Sequence, residues 1–436
     1  MTRSARAVAL DVLVRVEGGA YSNLVLPGVL RDSGLSARDR AFATDLVYGT
    51  LRRRRTLDHL LDPALDRPLD GLDAPVRAAL RLGVYQLVSD VPAHAAVGET
   101  VEVAPRRARP LANAVLRKVA ASGPPWSLPP GDDLTALGVR LSYPDWLVEH
   151  LIAAMGREDA LATLASANEP PPVTLRPNLH RTTPDDLVRE LEAGGATVAP
   201  GRLGTGAIVV RGLGDPARAP AVAEGRATPQ DEASQAVVAV LDPGPGDSVL
   251  DTCAAPGGKA TAAAERAGAS GRVVAGDVHA GRLTLVQRAA ARLAVAVECV
   301  VADGRTLPVR GRAFDRVLVD APCTGLGVLR RRPEARWRVR PEDAATLAAL
   351  QRELLRDAAR AVRPGGTLVY SVCTLTRDET TAVDEWAADE LPELSAGERP
   401  GTPWRPWGRG ALLLPHDAGT DGMFVLRLHR ASASRR

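Results

Sequence analysis

Two cysteines and an aspartate stand in short, punctuated motifs in the second half of the chain. Asp320-Ala-Pro-Cys323-Thr-Gly-Leu-Gly327 and Tyr370-Ser-Val-Cys373-Thr-Leu375 each follow a β-rich run. A lone cysteine is most often a small buried apolar residue. Two of them at neighbouring strand ends, with Asp320 beside them, suit covalent chemistry, because a thiolate is a strong nucleophile. A third motif, Asp251-Thr-Cys-Ala-Ala-Pro-Gly-Gly-Lys259, follows a strand and opens a helix. Its paired glycines permit a tight turn and close approach of a ligand to backbone N–H groups. A P-loop would need glycine at 253 and Ser or Thr at 260, where the chain has Cys253 and Ala260, and a dinucleotide fingerprint would need glycine at 253 and 255. A ligand without phosphates fits better. Asp277 ends the next strand, where a carboxylate can accept both ribose hydroxyls, and Asp303 ends the one after, near the place of an adenine amino group. One such aspartate is usually a cap; three successive strands ending this way point to an S-adenosylmethionine pocket.

The elements that must hold these residues are strands alternating with helices after Ala227. Strands are predicted at Ser248 to Asp251, Arg272 to Asp277, Glu298 to Asp303, Arg316 to Asp320 and Thr367 to Cys373, with helices such as Ala280 to Leu293 and Pro341 to Val362 between them. That alternation implies a parallel, doubly wound α/β sheet with ligand sites at its carboxyl edge. Ala411 to Leu414 and Met423 to His429 read as a hairpin adding an antiparallel edge. Residues 134–226 read as a small α+β module, with a helix near Pro144, a strand at Val173 to Arg176, a helix over Pro184 to Ala193 and a strand at Ala207 to Arg211. Residues 1–125 read as all helical, with apolar positions such as Leu80, Val84 and Leu87 at helical spacing. The Pro- and Gly-rich stretch from Ser122 to Asp133 is predicted to be a linker. Residues 227–436 complete the three-domain division.

At 436 residues, 45% apolar and 25% charged, the chain has the composition of an ordinary globular protein rather than a disordered one. Only 14 residues are aromatic, so a base-stacking surface is not expected and any nucleic-acid contact must rest on charge. Of 55 basic residues only Lys118 and Lys259 are lysines, which marks Lys259 as a place where an ammonium is wanted. Residues 1–125 carry 18 Lys/Arg against 13 Asp/Glu, including the runs Arg52 to Arg55 and Arg106, Arg107 and Arg109. This favours RNA binding by the helical part. Arg330, Arg331, Arg332 and Arg336, just beyond the Pro-Cys motif, are predicted to guide RNA phosphates. No run approaches the 18 or so apolar residues of a membrane span, and Asp11, Arg15 and Glu17 interrupt any signal peptide, so a cytoplasmic protein is expected. The four dispersed cysteines lack CxxC spacing, which argues against disulfides and a metal site.

The motifs DTCAAPGGK, DAPCTGLGVLRRRPE and YSVCTL, with ATPQDEASQ upstream, resemble the Fmu/Sun-type RNA cytosine-5 methyltransferases, and most closely their bacterial small-subunit rRNA members. The likeness spans the whole chain. PAHAAVGETVEVA and LANAVLRKVA resemble a NusB-type RNA-binding domain, and LRPN (Leu175 to Asn178) fits the family's intermediate module. Val372 departs from the threonine more common before the second cysteine.

The resemblance implies a class I, Rossmann-like methyltransferase domain with a mostly parallel seven-stranded sheet. It implies S-adenosylmethionine as donor, held by Cys253, Ala254, Ala255, Pro256, Gly257, Gly258, Lys259, Asp277, Arg282, Asp303 and Asp320, and no metal. Cytosine C5 is too weak a nucleophile to take a methyl group unaided, so a thiolate must first add to C6. Residue chemistry leaves open which thiol attacks, since DNA cytosine-5 enzymes use the Pro-Cys cysteine; the resemblance implies Cys373 as nucleophile and Cys323 as the release residue. Asp320 would hydrogen-bond N3, with Lys259 orienting Asp320 or favouring a thiolate. The implied partner is small-subunit (16S) rRNA, taken before the ribosome is fully assembled, by a monomer. The catalytic motifs would equally serve a tRNA enzyme. The helical domain alone would suit a non-catalytic antitermination factor, against which the complete set of Cys373, Cys323, Asp320 and donor loop weighs.

Overall fold

The computed structural model describes residues 3–432. They form two compact units, one of residues 3–170 with Leu329–Val339, the other of Pro171–Val328 with residues 340–432.

The first unit is helical. Ser4 and Ser36 cap the helices Ala5–Glu17 and Ala37–Arg52 by accepting the N–H groups of Ala7 and Asp39. Its core is aliphatic, as the scarcity of aromatics requires: Leu46, Leu57, Leu61, Leu80, Leu82 and Leu116 are fully buried, each contributing roughly 1.5–3 kcal/mol. Residues 123–133 lack helix, yet the unit runs on past them to Pro170. The helices Leu134–Leu141, Asp145–Met155 and Arg157–Ser166 lie within this unit. The reason lies in the basic run. Thr56 donates to the Val139 carbonyl at 2.6 Å, the Arg55 N–H donates to Ser142 Oγ at 2.9 Å, and the Arg55 guanidinium pairs with Asp145 at 2.6 Å.

In the second unit, β1 (Val173–Pro177), β2 (Thr197–Pro200), β3 (Ile208–Arg211) and β4 (Ala227–Pro229) form an antiparallel sheet in the order β2-β3-β1-β4, with the helix Pro184–Ala193 between β1 and β2. The larger sheet comprises β5 (Ser248–Asp251), β6 (Arg272–Asp277), β7 (Glu298–Val301), β8 (Phe314–Asp320), β9 (Val362–Val372), β10 (Leu394–Ala396), β11 (Arg405–Trp407), β12 (Gly410–Leu413) and β13 (Met423–Arg430). Its order is β11-β12-β13-β9-β8-β5-β6-β7, with β10 on β13. Strands β5 to β9 are parallel, while β13 runs antiparallel to β9 and pairs with β12 as the predicted hairpin. This is the class I methyltransferase fold. Nine strands stand where seven were expected, because β10 and β11 are three-residue edge pieces too short to leave a period in the sequence. Strand β5 lies between β6 and β8, so the chain order reverses beside it and the carboxyl ends of β5 and β8 face one crevice. Among the described residues no helix is long and apolar enough to cross a membrane.

Candidate active site

The carboxyl ends of β8 and β9 bring Asp320, Cys323 and Cys373 together, and the helix after β5 brings Lys259. Asp320 ends β8, and its Oδ2 accepts from Lys259 Nζ at 2.7 Å while Oδ1 accepts from Ser371 Oγ at 2.8 Å. The Sγ atoms of Cys323 and Cys373 lie 3.4 Å apart. Neither forms a disulfide. Gly327 lets the two loops meet: its N–H donates to the Cys373 carbonyl at 2.9 Å, and a Cβ there would lie 2.2 Å from the Gly422 carbonyl oxygen.

The electrostatics of the site are uneven. Burial works against the Lys259 charge, but the Asp320 carboxylate outweighs it, helped by Cys373 and Asp251, and holds the ammonium above its ordinary range. The Cys323 thiol is pushed well above its ordinary value by its hydrogen bond with Cys373, by burial and by the negative charges of Cys373 and Glu379. Burial, reinforced by Asp320, pushes Asp251 up to about 7, although Lys259 opposes the shift. Cys253, desolvated and surrounded by carboxylates, is pushed up to about 12, so it is a poor nucleophile.

The donor loop closes over β5 and β6. Gly257 sits at φ +106°, and a Cβ there would meet Val286 Cα at 2.9 Å, so this turn accepts only glycine. Asp277, 4% exposed, accepts the N–H of His279 at 2.9 Å and of Ala255 at 3.3 Å. Arg282 donates to the Ala255 carbonyl at 2.7 Å and faces Asp277 at 3.6 Å. Ala254 and Ala255 are buried and Pro256 is exposed. Asp251 Oδ2 is buried without a hydrogen-bond partner. The crevice therefore carries three carboxylates, Asp251, Asp277 and Asp320, against Lys259 and Arg282, each of which faces an aspartate. That charge balance suits a cationic, phosphate-free ligand with ribose hydroxyls, as S-adenosylmethionine is. Asp303 is oriented differently: it lies two residues beyond β7 and is clasped by Arg305 at 2.7 and 3.0 Å, whose hydrogen bonds hold its carboxyl below the ordinary range.

The arginines beyond the Pro-Cys motif require a correction. Arg336 is 0% exposed and lies over the Tyr143 ring at 3.9 Å. It donates to the carbonyls of Arg52, Ser142 and Ala167 and to Asn168 Oδ1, all inside the helical unit. Arg330 is 6% exposed, and its backbone carbonyl accepts from Arg52 at 2.9 Å. Neither side chain can meet a phosphate. Arg331 is half-buried and Arg332 exposed. Of the earlier run Arg52 to Arg55 only Arg53 is exposed, whereas Arg106 and Arg107 both are.

Sequence reasoning missed Ser371, Glu379 and Gln351. Glu379, fully buried, accepts from Thr324 N, Thr324 Oγ1, Thr374 Oγ1, Thr376 Oγ1 and Gln351 Nε2. Its only trace in the sequence is the hydroxyl-rich run Thr374, Thr376, Thr380 and Thr381 around the adjacent acids Asp378 and Glu379.

Comparison with known proteins matches the chain to family models along its length. Residues 238–429 match the family model for the 16S rRNA methyltransferase RsmB/F, residues 3–121 the NusB family, and residues 143–215 a ferredoxin-like domain of RsmF/B-like methyltransferases. The chain is 36% identical to a probable ribosomal RNA small subunit methyltransferase B of Bacillus subtilis, covering 98% of this chain and 99% of the relative. It is 38% identical to the ribosomal RNA small subunit methyltransferase B of Thermus thermophilus, covering 98% of each. A methyltransferase homologue from Pyrococcus horikoshii superposes with a TM-score of 0.60 at 25% identity, over 69% of this chain and all of that one.

Proposed function

Because this chain belongs to the RsmB/F family of 16S rRNA methyltransferases, we propose that it methylates C5 of a cytosine in small-subunit rRNA through a covalent cysteine adduct. The observation that carries the reading is the pair of thiols 3.4 Å apart beside the Lys259–Asp320 ion pair. One thiol alone would suit many chemistries. Two within van der Waals reach of one another suit a reaction in which one bonds the base and the other acts on the same base.

S-adenosylmethionine, when bound, supplies an electrophilic methyl group on a sulfonium. The Cys253–Lys259 loop, Asp277 and Arg282 would hold it, with the Asp251 and Asp320 carboxyls facing its positive charge. The Cys373 thiolate adds to C6 of the cytosine, and the ring electrons move to make C5 nucleophilic. Asp320 shares a proton with ring N3 as electron density moves there, with Lys259 and Ser371 fixing its two oxygens. Cys323, whose proton is held tightly, stands as a thiol while Cys373 attacks. After C5 is methylated, Cys323, which gives its own proton to solvent once Cys373 is bonded to C6, takes the C5 proton; the C5–H electrons form the C5–C6 double bond, the C6–S bond breaks, and Cys373 leaves as the thiolate. We assign RNA affinity to the basic helical region of residues 1–125 and the module up to residue 226, with Arg106, Arg107, Arg331 and Arg332 as phosphate contacts and residues 227–436 as the catalytic domain.

The test is incubation of the purified protein with labelled S-adenosylmethionine and small-subunit rRNA, followed by bisulfite mapping. Label at C5 of one cytosine is expected. No transfer to rRNA, or transfer to tRNA instead, overturns the substrate assignment.

A further inference from the structure

Glu379 touches no group assigned to the chemistry, yet it is bonded to the residues that follow both cysteines. Its Oε1 accepts the backbone N–H of Thr324 at 2.9 Å, and its Oε2 accepts the hydroxyls of Thr324 at 2.5 Å and Thr374 at 3.0 Å. The two threonine hydroxyls also meet each other at 2.6 Å. Thr376 Oγ1 at 2.9 Å and Gln351 Nε2 at 3.1 Å complete five donors around one carboxylate. The surround is itself fixed. Gln351 Nε2 also donates to the Pro322 carbonyl, next to Cys323, and the Tyr370 hydroxyl lies 2.9 Å from Gln351 Oε1 and 2.7 Å from the Glu379 carbonyl.

We propose that Glu379 is a positioning residue whose carboxylate sets the spacing between Cys323 and Cys373. The two cysteines sit on loops after different strands, 50 residues apart in sequence, and covalent geometry does nothing to align them. A neutral core would bring the loops near each other without fixing hydroxyl and amide directions. A carboxylate accepts along several directions at once, and its charge strengthens each bond. Held by the neighbours of both, the thiols keep one separation through attack and release. The inference rests on the two-thiol reading above, because the spacing matters for turnover only if both thiols act on one base.

The experiment uses Glu379→Gln, which keeps the shape while replacing the charge and one acceptor edge, and Thr374→Val, which removes a single donor. Spacing is read without turnover, by the rate at which dibromobimane crosslinks Cys323 to Cys373 relative to the rate at which monobromobimane labels each thiol, which cancels any change in thiol acidity, with the linked peptides identified by mass spectrometry so that Cys253 and Cys299 do not contribute. Glu379→Gln should crosslink at least about tenfold more slowly and turn over about 10²-fold more slowly, the scale expected for a misplacement near 1 Å. Its S-adenosylmethionine affinity should be unchanged. Thr374→Val should fall between Glu379→Gln and the parent in both measurements. Parental crosslinking and turnover in Glu379→Gln overturns the proposal, as does a loss of donor affinity in step with turnover, which would mark a general structural role. Should Glu379→Gln fail to fold, parental behaviour of Thr374→Val overturns it alone. Failure of the covalent reading would appear separately, as turnover by Cys373→Ala, and leaves the crosslinking comparison standing.

Discussion

Asp277 allows the donor site to be tested without disturbing the thiols. Its carboxylate has two duties in the protein, accepting from His279 N–H at 2.9 Å and from Ala255 N–H at 3.3 Å. Alanine would strand both donors and loosen the loop, so a lost affinity could not be ascribed to the ligand. Asparagine keeps an acceptor for His279 and gives up the longer bond to Ala255 and the 3.6 Å approach of Arg282, whose side chain is half exposed. The internal cost should therefore be small, within about 1 kcal/mol. Hydrogen bonds from ribose hydroxyls to a charged acceptor are worth about 1.5–3 kcal/mol, which is about a 10- to 150-fold rise in Kd. Calorimetry with S-adenosylmethionine and with S-adenosylhomocysteine should show equal losses, since the ribose is common to both, with the melting temperature little changed. Unchanged affinity for both refutes the assignment, and a loss confined to S-adenosylmethionine assigns Asp277 to the sulfonium charge rather than the ribose.

Cys373→Ala should be inactive and give no covalent RNA, whereas Cys323→Ala should accumulate a methylated protein–RNA adduct that survives denaturing gels; the opposite pattern exchanges the two roles. Arg336→Met should destabilise the helical unit by about 3 kcal/mol, because several backbone carbonyls lose a buried donor, and thermal denaturation reads this directly. Arg106→Gln with Arg107→Gln should flatten the slope of log affinity for rRNA against log salt by about 1–2, one released counterion for each lost phosphate contact, and an unchanged slope removes both residues from the interface. The folded chain keeps the Asp251 proton up to about pH 7, whereas an unfolded aspartate releases it near 3.9, so this group's contribution to stability falls as pH rises through that window, by up to roughly 4 kcal/mol. Asp251→Asn should flatten the stability–pH curve between those limits, and a parental curve refutes the shift.

The elements that carry chemistry were legible because each ends in a residue type that strands seldom end in by chance. Asp251, Asp277 and Asp320 stand at the last positions of β5, β6 and β8. The helix over Pro184 to Ala193 and the hairpin of β12 and β13 follow equally directly from capping and alternation. What the sequence hides is partnership across distance. Arg336 reads as one of a run of arginines that guide RNA phosphates, and only the positions of Tyr143 and Asn168, more than 160 residues away, turn it into a buried donor. Glu379 reads as one acid in a polar stretch, since neither periodicity nor charge signals that Thr324, 55 residues away, will meet it.

The proposed division of labour between the two thiols has a physical basis in their surroundings. A cysteine becomes a nucleophile where positive charge favours its thiolate and a base where its proton is held tightly. Cys373 and Lys259 influence each other electrostatically, and the Lys259 ammonium is itself held charged by Asp320. Cys323 experiences the opposite field, from Glu379 and from Cys373. Once Cys373 carries the negative charge, its neighbour at 3.4 Å is driven further toward the protonated form. Once Cys373 is bonded to C6 that charge is gone, and Cys323 becomes free to exchange its proton. In the proposed reaction the order of events would then follow from the charge each sulfur senses: Cys373, which interacts electrostatically with Lys259, would act first, and its bonding to the base would release Cys323.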